Sequence, residues 1–244
     1  MTGLNPTDRG AAREVEAVLV DVGGTLWGDR ARPPREALEG ETERRLRAVG
    51  VDGDRLAVLT AELAARLHGA DDLDYLDIWS VIEQACAAAG VLGVPADRIR
   101  HAFCLPAATL TEVFPGARQM LQTIRDLRLR CVIASNAVWR TEADYRDDLE
   151  AFGLGGLVDG IVCSVDTRWR KPDPRLFQAA LERAAAPAHA CLMIGNSEAK
   201  DIVPAAALGM RTVRVAIEER RPAVSRADFI CDSLEQAAAV VRGS

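Results

Sequence analysis

The chain has 244 residues, a net charge of -6 and a pI near 5.2. That length holds one large domain, or a medium domain with a smaller insertion. Hydrophobic residues make up 49% and charged residues 27%, the balance of a soluble globular chain rather than a disordered or fibrous one. The acidic balance, without a Lys/Arg cluster interleaved with aromatics, argues against nucleic acid as a partner. Apolar runs such as 17–20 and 191–194 are far too short to span a membrane. The N-terminus lacks a signal-peptide pattern, so a cytoplasmic location is expected. The six cysteines are scattered singly, without CxxC pairs or His partners at ligand spacing, and read as small reduced core residues.

In chain order, residues 1–14 are polar, contain Gly and Pro, and read as a loose tail. Residues 16–22 form a β-branched, apolar run that ends in Gly23-Gly24, the pattern of a buried parallel strand entering a tight loop. From 33 to 108 the chain turns to Ala, Leu, Glu and Arg, with helical stretches over 36–49, 55–67, 78–89 and 97–103. This block reads as a helical insertion. Strand-like runs resume at 130–134, 160–164, 191–194, 212–216 and 229–231, with helical stretches such as 116–127 and 176–185 between them. Alternation of this kind predicts an α/β fold, a parallel sheet with helices on both faces.

In open α/β sheets, ligands bind outside the carboxyl ends of the strands. The polar residues expected there are Asp21 after the first strand, Ser135-Asn136 after the second, Lys171 after the third, and 196–201 after the fourth. Each suits a step of group transfer. The Asp21 carboxylate can act as a nucleophile, and Gly23, Gly24 and Thr25 let backbone N–H groups approach an anion closely. Ser135 and Asn136 can bind oxygens of a transferring group. Lys171 supplies a neutralising cation, which Asp201 can orient, and Asp201 can also support a metal.

These segments resemble the four motifs of the haloacid dehalogenase superfamily. The first reads Asp21-Val22-Gly23-Gly24-Thr25-Leu26, the second Ala134-Ser135-Asn136, and the third Lys171-Pro172-Asp173-Pro174. The fourth reads Ile194-Gly195-Asn196-Ser197 through Asp201. Phe114-Pro115-Gly116 is similar to the segment by which such proteins re-enter the core from a helical cap. The resemblance implies a Rossmann-like core over 1–30 and 112–244 with an all-α cap over 31–111. It also implies hydrolysis of a small phosphorylated metabolite through an aspartyl-phosphate on Asp21. Lys171 would be the second catalytic residue, and Gly24, Thr25, Ser135 and Asn136 would bind the phosphoryl group. Mg²⁺ would be held by Asp21, the Gly23 carbonyl, Asn196 and Asp201.

Two positions depart from the pattern. Gly23 stands where phosphatases of the superfamily carry the aspartate that protonates the leaving group, a contribution of roughly 100- to 10,000-fold in rate. Asn196 stands where the fourth motif has an aspartate, so a metal there meets one negative charge fewer. Glu198 is an alternative donor, or a solvated acid at a helix N-terminus. Two other readings follow: a metal-independent 2-haloacid dehalogenase-type hydrolase, and a homologue that binds a ligand without turning it over. His68, His101 and His189 read as surface or helix-end residues. Trp27, Gly28, Arg30, Trp139 and Arg140 are candidates to line the pocket, and Arg168, Trp169 and Arg170 to shape its entrance.

Overall fold

The computed structural model describes residues 15–29, 33–70, 73–217 and 224–244. The tail expected over 1–14 and the pocket candidate Arg30 lie outside the described residues. The first strand, β1 (Ala17–Val20), is buried at every position. A three-residue strand, β2 (Trp27–Asp29), follows the glycine loop. Four helices come next: α1 (Arg35–Ala48), α2 (Gly53–Arg66), α3 (Ile78–Ala88) and α4 (Ala96–Phe103). Their apolar residues recur at helical spacing; on α2, Leu56, Leu59 and Leu63 are buried on one face. The short α5 (Ala107–Leu110) leads into β3 (Thr111–Val113). β3 pairs antiparallel with β2, Trp27 opposite Val113, so the helical block leaves and returns through adjacent strands.

The rest alternates as expected. In order come α6 (Ala117–Asp126), β4 (Arg130–Ser135), α7 (Glu142–Ala151), β5 (Gly160–Cys163), the single turn α8 (Ser164–Thr167) and α9 (Pro174–Ala184). They are followed by β6 (Cys191–Gly195), α10 (Val203–Ala207), β7 (Arg211–Val215), β8 (Phe229–Cys231) and α11 (Leu234–Arg242). Local chemistry sets the helix starts. Asp173 caps α9 and Pro174 supplies its first turn. Thr141 and Asp144 form a reciprocal capping box at α7.

The six-stranded sheet has the order β5-β4-β1-β6-β7-β8, with every pair parallel. The fold class is therefore α/β. Because β1 is central and covered on both faces, its side chains feed two cores. Ala17 and Leu19 pack with Leu176 and Phe177 of α9, while Val18 and Val20 join the larger cluster on the other face. Burial of a side chain such as Leu19 contributes roughly 1.5–3 kcal/mol. All six cysteines are buried and unbridged, and all three histidines are exposed. No helix among the described residues is long and apolar enough to cross a membrane.

Candidate active site

The strand order decides which residues meet. Val20 at the end of β1 lies opposite Ile133 of β4 and Ile194 of β6, so the last residue of β4 and the residues just beyond β1 and β6 share one edge of the sheet. Asp21, Ser135 and Asn196 therefore converge from three separate stretches of sequence. Lys171 reaches them from the segment after α8. A cavity of about 610 Å³ opens above, with Asp21, Gly23, Ser135, Asn136, Lys171 and Asn196 on its wall.

Lys171 is the hub. It is 3% exposed, and its Nζ donates to Asp21 Oδ1 and Asp201 Oδ1, both at 2.6 Å. Burial alone lowers an ammonium pKa, yet the two carboxylates hold that of Lys171 above its ordinary value. Asp201 is held up at about 6, chiefly by burial, against the opposing pull of Lys171 and with the like charge of Asp21 adding to the rise. Its Oδ2 accepts the Ser197 N–H at 2.9 Å, which ties the fourth motif to the lysine. The second oxygen of Asp21 accepts from Thr25 Oγ1 at 3.1 Å, and the Asp21 N–H donates to the Ile194 carbonyl. The candidate nucleophile is thus fixed at both ends of its carboxylate.

Several expected anion-binding residues have partners within the protein. Thr25 is fully buried behind Asp21, and Gly24 packs against Asn196, so neither is on the cavity wall. Asn136 lines the cavity, but its amide pairs with the backbone of Lys171: Nδ2 donates to the Lys171 carbonyl, and Oδ1 accepts the Lys171 N–H. That two-way clamp sets where the lysine stem begins. Glu198 also lines the cavity, but it is engaged by other partners. Its carboxylate accepts from Arg214, Ser225 Oγ and the Arg226 N–H, which lower its pKa against the effect of burial.

Of the candidates to line the pocket, Trp27 is buried against Tyr145 and Phe152. Arg140 pairs with Asp148 and donates to the Leu105 carbonyl at the exit of the helical block. Trp139 stacks on Phe103 at 4.6 Å. None of the three, nor Gly28, lines the cavity. Arg170 does, with its guanidinium donating to the Ala137 carbonyl. The neighbouring segment also receives the helical block: the Leu76 N–H donates to the Arg168 carbonyl, and the Arg170 N–H to the Asp74 carbonyl. The Tyr75 and Trp169 rings sit 4.7 Å apart across this contact.

The family model for haloacid dehalogenase-like hydrolases matches residues 15–209. The chain belongs to that family. It is 34% identical over 116 residues to haloacid dehalogenase-like hydrolase domain-containing protein 3 of Danio rerio, covering 48% of this chain and 46% of that one. It is 33% identical over 108 residues to the glyceraldehyde 3-phosphate phosphatase of Pyrococcus abyssi, covering 43% of each. The chain thus spans less than half the length of these curated relatives. Its fold is similar to the crystal structure of 2-haloacid dehalogenase from Pseudomonas syringae, with a TM-score of 0.62 and 20% identity over 94% of this chain and 99% of that one.

Two positions at the candidate site escaped the sequence reading: Tyr145 behind Ser135, and Arg214 on the cavity wall. The Thr141-to-Asp144 spacing announces a helix after the second motif and is the signal that leads to Tyr145.

Proposed function

We propose that this protein hydrolyses a small phosphorylated metabolite through a covalent intermediate on Asp21. The observation that carries the reading is the Asp21 carboxylate at the centre of the sheet edge, on a cavity wall and paired with Lys171 at 2.6 Å. The phosphatase relative adds weight to phosphate as the transferred group. Residues 31–111 act as a cap over a core of 1–30 and 112–244, a division supported by the β2/β3 pair at its neck.

An Asp21 oxygen attacks phosphorus, its bond to phosphorus forms, and the bond from phosphorus to the leaving oxygen breaks. Lys171 neutralises charge on the carboxylate and on the transferring group. Ser135 donates to a phosphoryl oxygen. Gly23 has no proton to give, so the leaving oxygen takes its proton from water, which makes the enzyme slow. Water then attacks phosphorus, freeing phosphate and Asp21.

The oxygens of Asp21, Gly23 and Asn196 are hard donors that suit Mg²⁺ in kind, and Mg²⁺ is commonly held by one or two carboxylates with water and substrate phosphate. These three would hold it, with Asp201 supporting through Lys171, and the ion would neutralise phosphoryl charge. A metal-independent dehalogenase-type hydrolysis is the second reading. It is favoured by the neutral Asn196, which leaves a metal one negative charge fewer.

The test is a panel of sugar and three-carbon phosphates assayed with Mg²⁺ or EDTA, beside 2-haloacids. The first reading expects phosphate release that needs metal and vanishes in Asp21→Asn. Halide release untouched by EDTA would replace it with the second. Silence in both would leave a protein that binds without turnover.

A further inference from the structure

Tyr145 has no part in the reaction described above, yet it lies directly beneath it. It projects from α7, is 4% exposed, and packs its ring against Trp27 with centroids 6.3 Å apart. Its hydroxyl is 2.9 Å from Ser135 Oγ, the partner it has among the described residues. Ser135 is among the residues lining the cavity, and the other acceptor of its hydroxyl is the Asn136 carbonyl at a long 3.4 Å.

Proton counting decides the direction of the Tyr145 to Ser135 bond. A phenol carries one proton, and a serine hydroxyl carries one proton and two lone pairs. Burial pushes the Tyr145 phenol well above its ordinary pKa, so it keeps its proton. If Ser135 donated, that phenol proton would be buried with no acceptor, the costly arrangement for a polar group. If Tyr145 donates, both groups are satisfied and the serine proton is left to turn. Its acceptor is then either the distant Asn136 carbonyl or an oxygen in the cavity. An anionic oxygen is the stronger acceptor.

We propose that Tyr145 holds Ser135 as an acceptor, so that the serine proton is aimed into the cavity at an anionic oxygen of the substrate. Tyr145 is then a positioning residue that acts through Ser135. Trp27, on the strand that opens the helical block, braces its ring. The proposal rests on the phosphoryl-site reading for the identity of the anion, but not for the direction of the bond.

The experiment titrates inorganic phosphate calorimetrically into the full chain and three variants: Tyr145→Phe, Ser135→Ala and the double. Phenylalanine keeps the ring and its packing, so the fold is retained. Tyr145→Phe is expected to weaken binding roughly three- to tenfold, the size of one hydrogen bond. Ser135→Ala should lose at least as much, and the double variant no more than Ser135→Ala. Wild-type affinity in Tyr145→Phe, or losses that multiply in the double variant, would overturn the proposal.

If the unaltered protein does not bind phosphate, the phosphoryl reading fails on its own. The bond is then read by proton NMR of the ligand-free protein with labelled tyrosine. A slowly exchanging hydroxyl proton close to the Tyr145 ring, lost to exchange in Ser135→Ala, is the expected result. A shared proton residing on Ser135 would overturn the inference.

Discussion

The loop after β1 and the loop after β6 lie side by side, and each lacks one carboxylate that the family resemblance leads one to expect. Their surroundings differ. At Gly23, a Cβ would meet nothing within 4 Å, and the backbone is outside the left-handed region. One residue later, Gly24 has φ +73°, and a Cβ there would come 2.2 Å from Asn196 Nδ2. On the second loop, a Cβ on Gly195 would fall 2.5 Å from the Asp201 carboxylate. The first loop is thus open at the missing acid, whereas the second is filled by its own amide and carboxylate. Packing does not impose glycine at position 23, so its consequence is chemical rather than steric. Asn196, in contrast, is wedged against the neighbouring loop.

The contrast is sharpened most by restoring the acid. Gly23→Asp meets no clash at its Cβ and should raise the rate of phosphate release by roughly 100- to 10,000-fold. A folded variant with unchanged kcat would mean that the acid is not what the site lacks.

Lys171 joins the two loops, and Lys171→Met tests that bond. Removing one partner of a buried ion pair costs about 3–5 kcal/mol, here with Asp21 and Asp201 both left beside an apolar side chain. Urea unfolding measures the loss, and a change below about 1 kcal/mol would show that the loops stand independently.

The Asp201 carboxyl, at about 6 against an ordinary 3.8, carries a pH signature. Between these values the folded chain holds more protons than the unfolded one, so this group's contribution to stability falls as pH rises through that window. The stability of the wild type relative to Asp201→Asn should drop by an amount on the order of 2 kcal/mol from pH 4 to 6. A flat difference would remove the charge coupling between the loops.

The smallest effects separate neighbouring glycines. Gly24→Ala should cost about 1–2 kcal/mol through its left-handed backbone and force Asn196 to shift. Gly23→Ala should stay within about 0.5 kcal/mol of wild type, and equal losses at the two positions would erase the contrast.

Much of this arrangement is legible in sequence because it is local. The strand run at 16–22 contains β1, which is shorter by one residue at its start and two at its end, and those at 130–134, 191–194 and 229–231 fall within a residue of β4, β6 and β8. Buried parallel strands are short apolar runs bounded by loops, and that pattern needs no partner to be seen. The β2/β3 pair was not visible. Three residues are too few for a period, and they pair because the two ends of the helical block meet. Helix α7 also went unassigned, since its sequence is polar on most of its surface and only the capping box marks its start.

By itself, the sequence determined the α/β alternation, the family, and which residues stand at the strand ends, since spacing and apolar periodicity are properties of neighbouring residues. It did not determine which partners those residues take. Asn136 clamping the Lys171 backbone, Thr25 bound to Asp21, Glu198 drawn to Arg214 and Tyr145 held against Ser135 were decided by the tertiary structure. A donor is satisfied by whatever acceptor the packed chain brings within about 3 Å, and the Lys171 to Asp21 bond joins positions 150 residues apart.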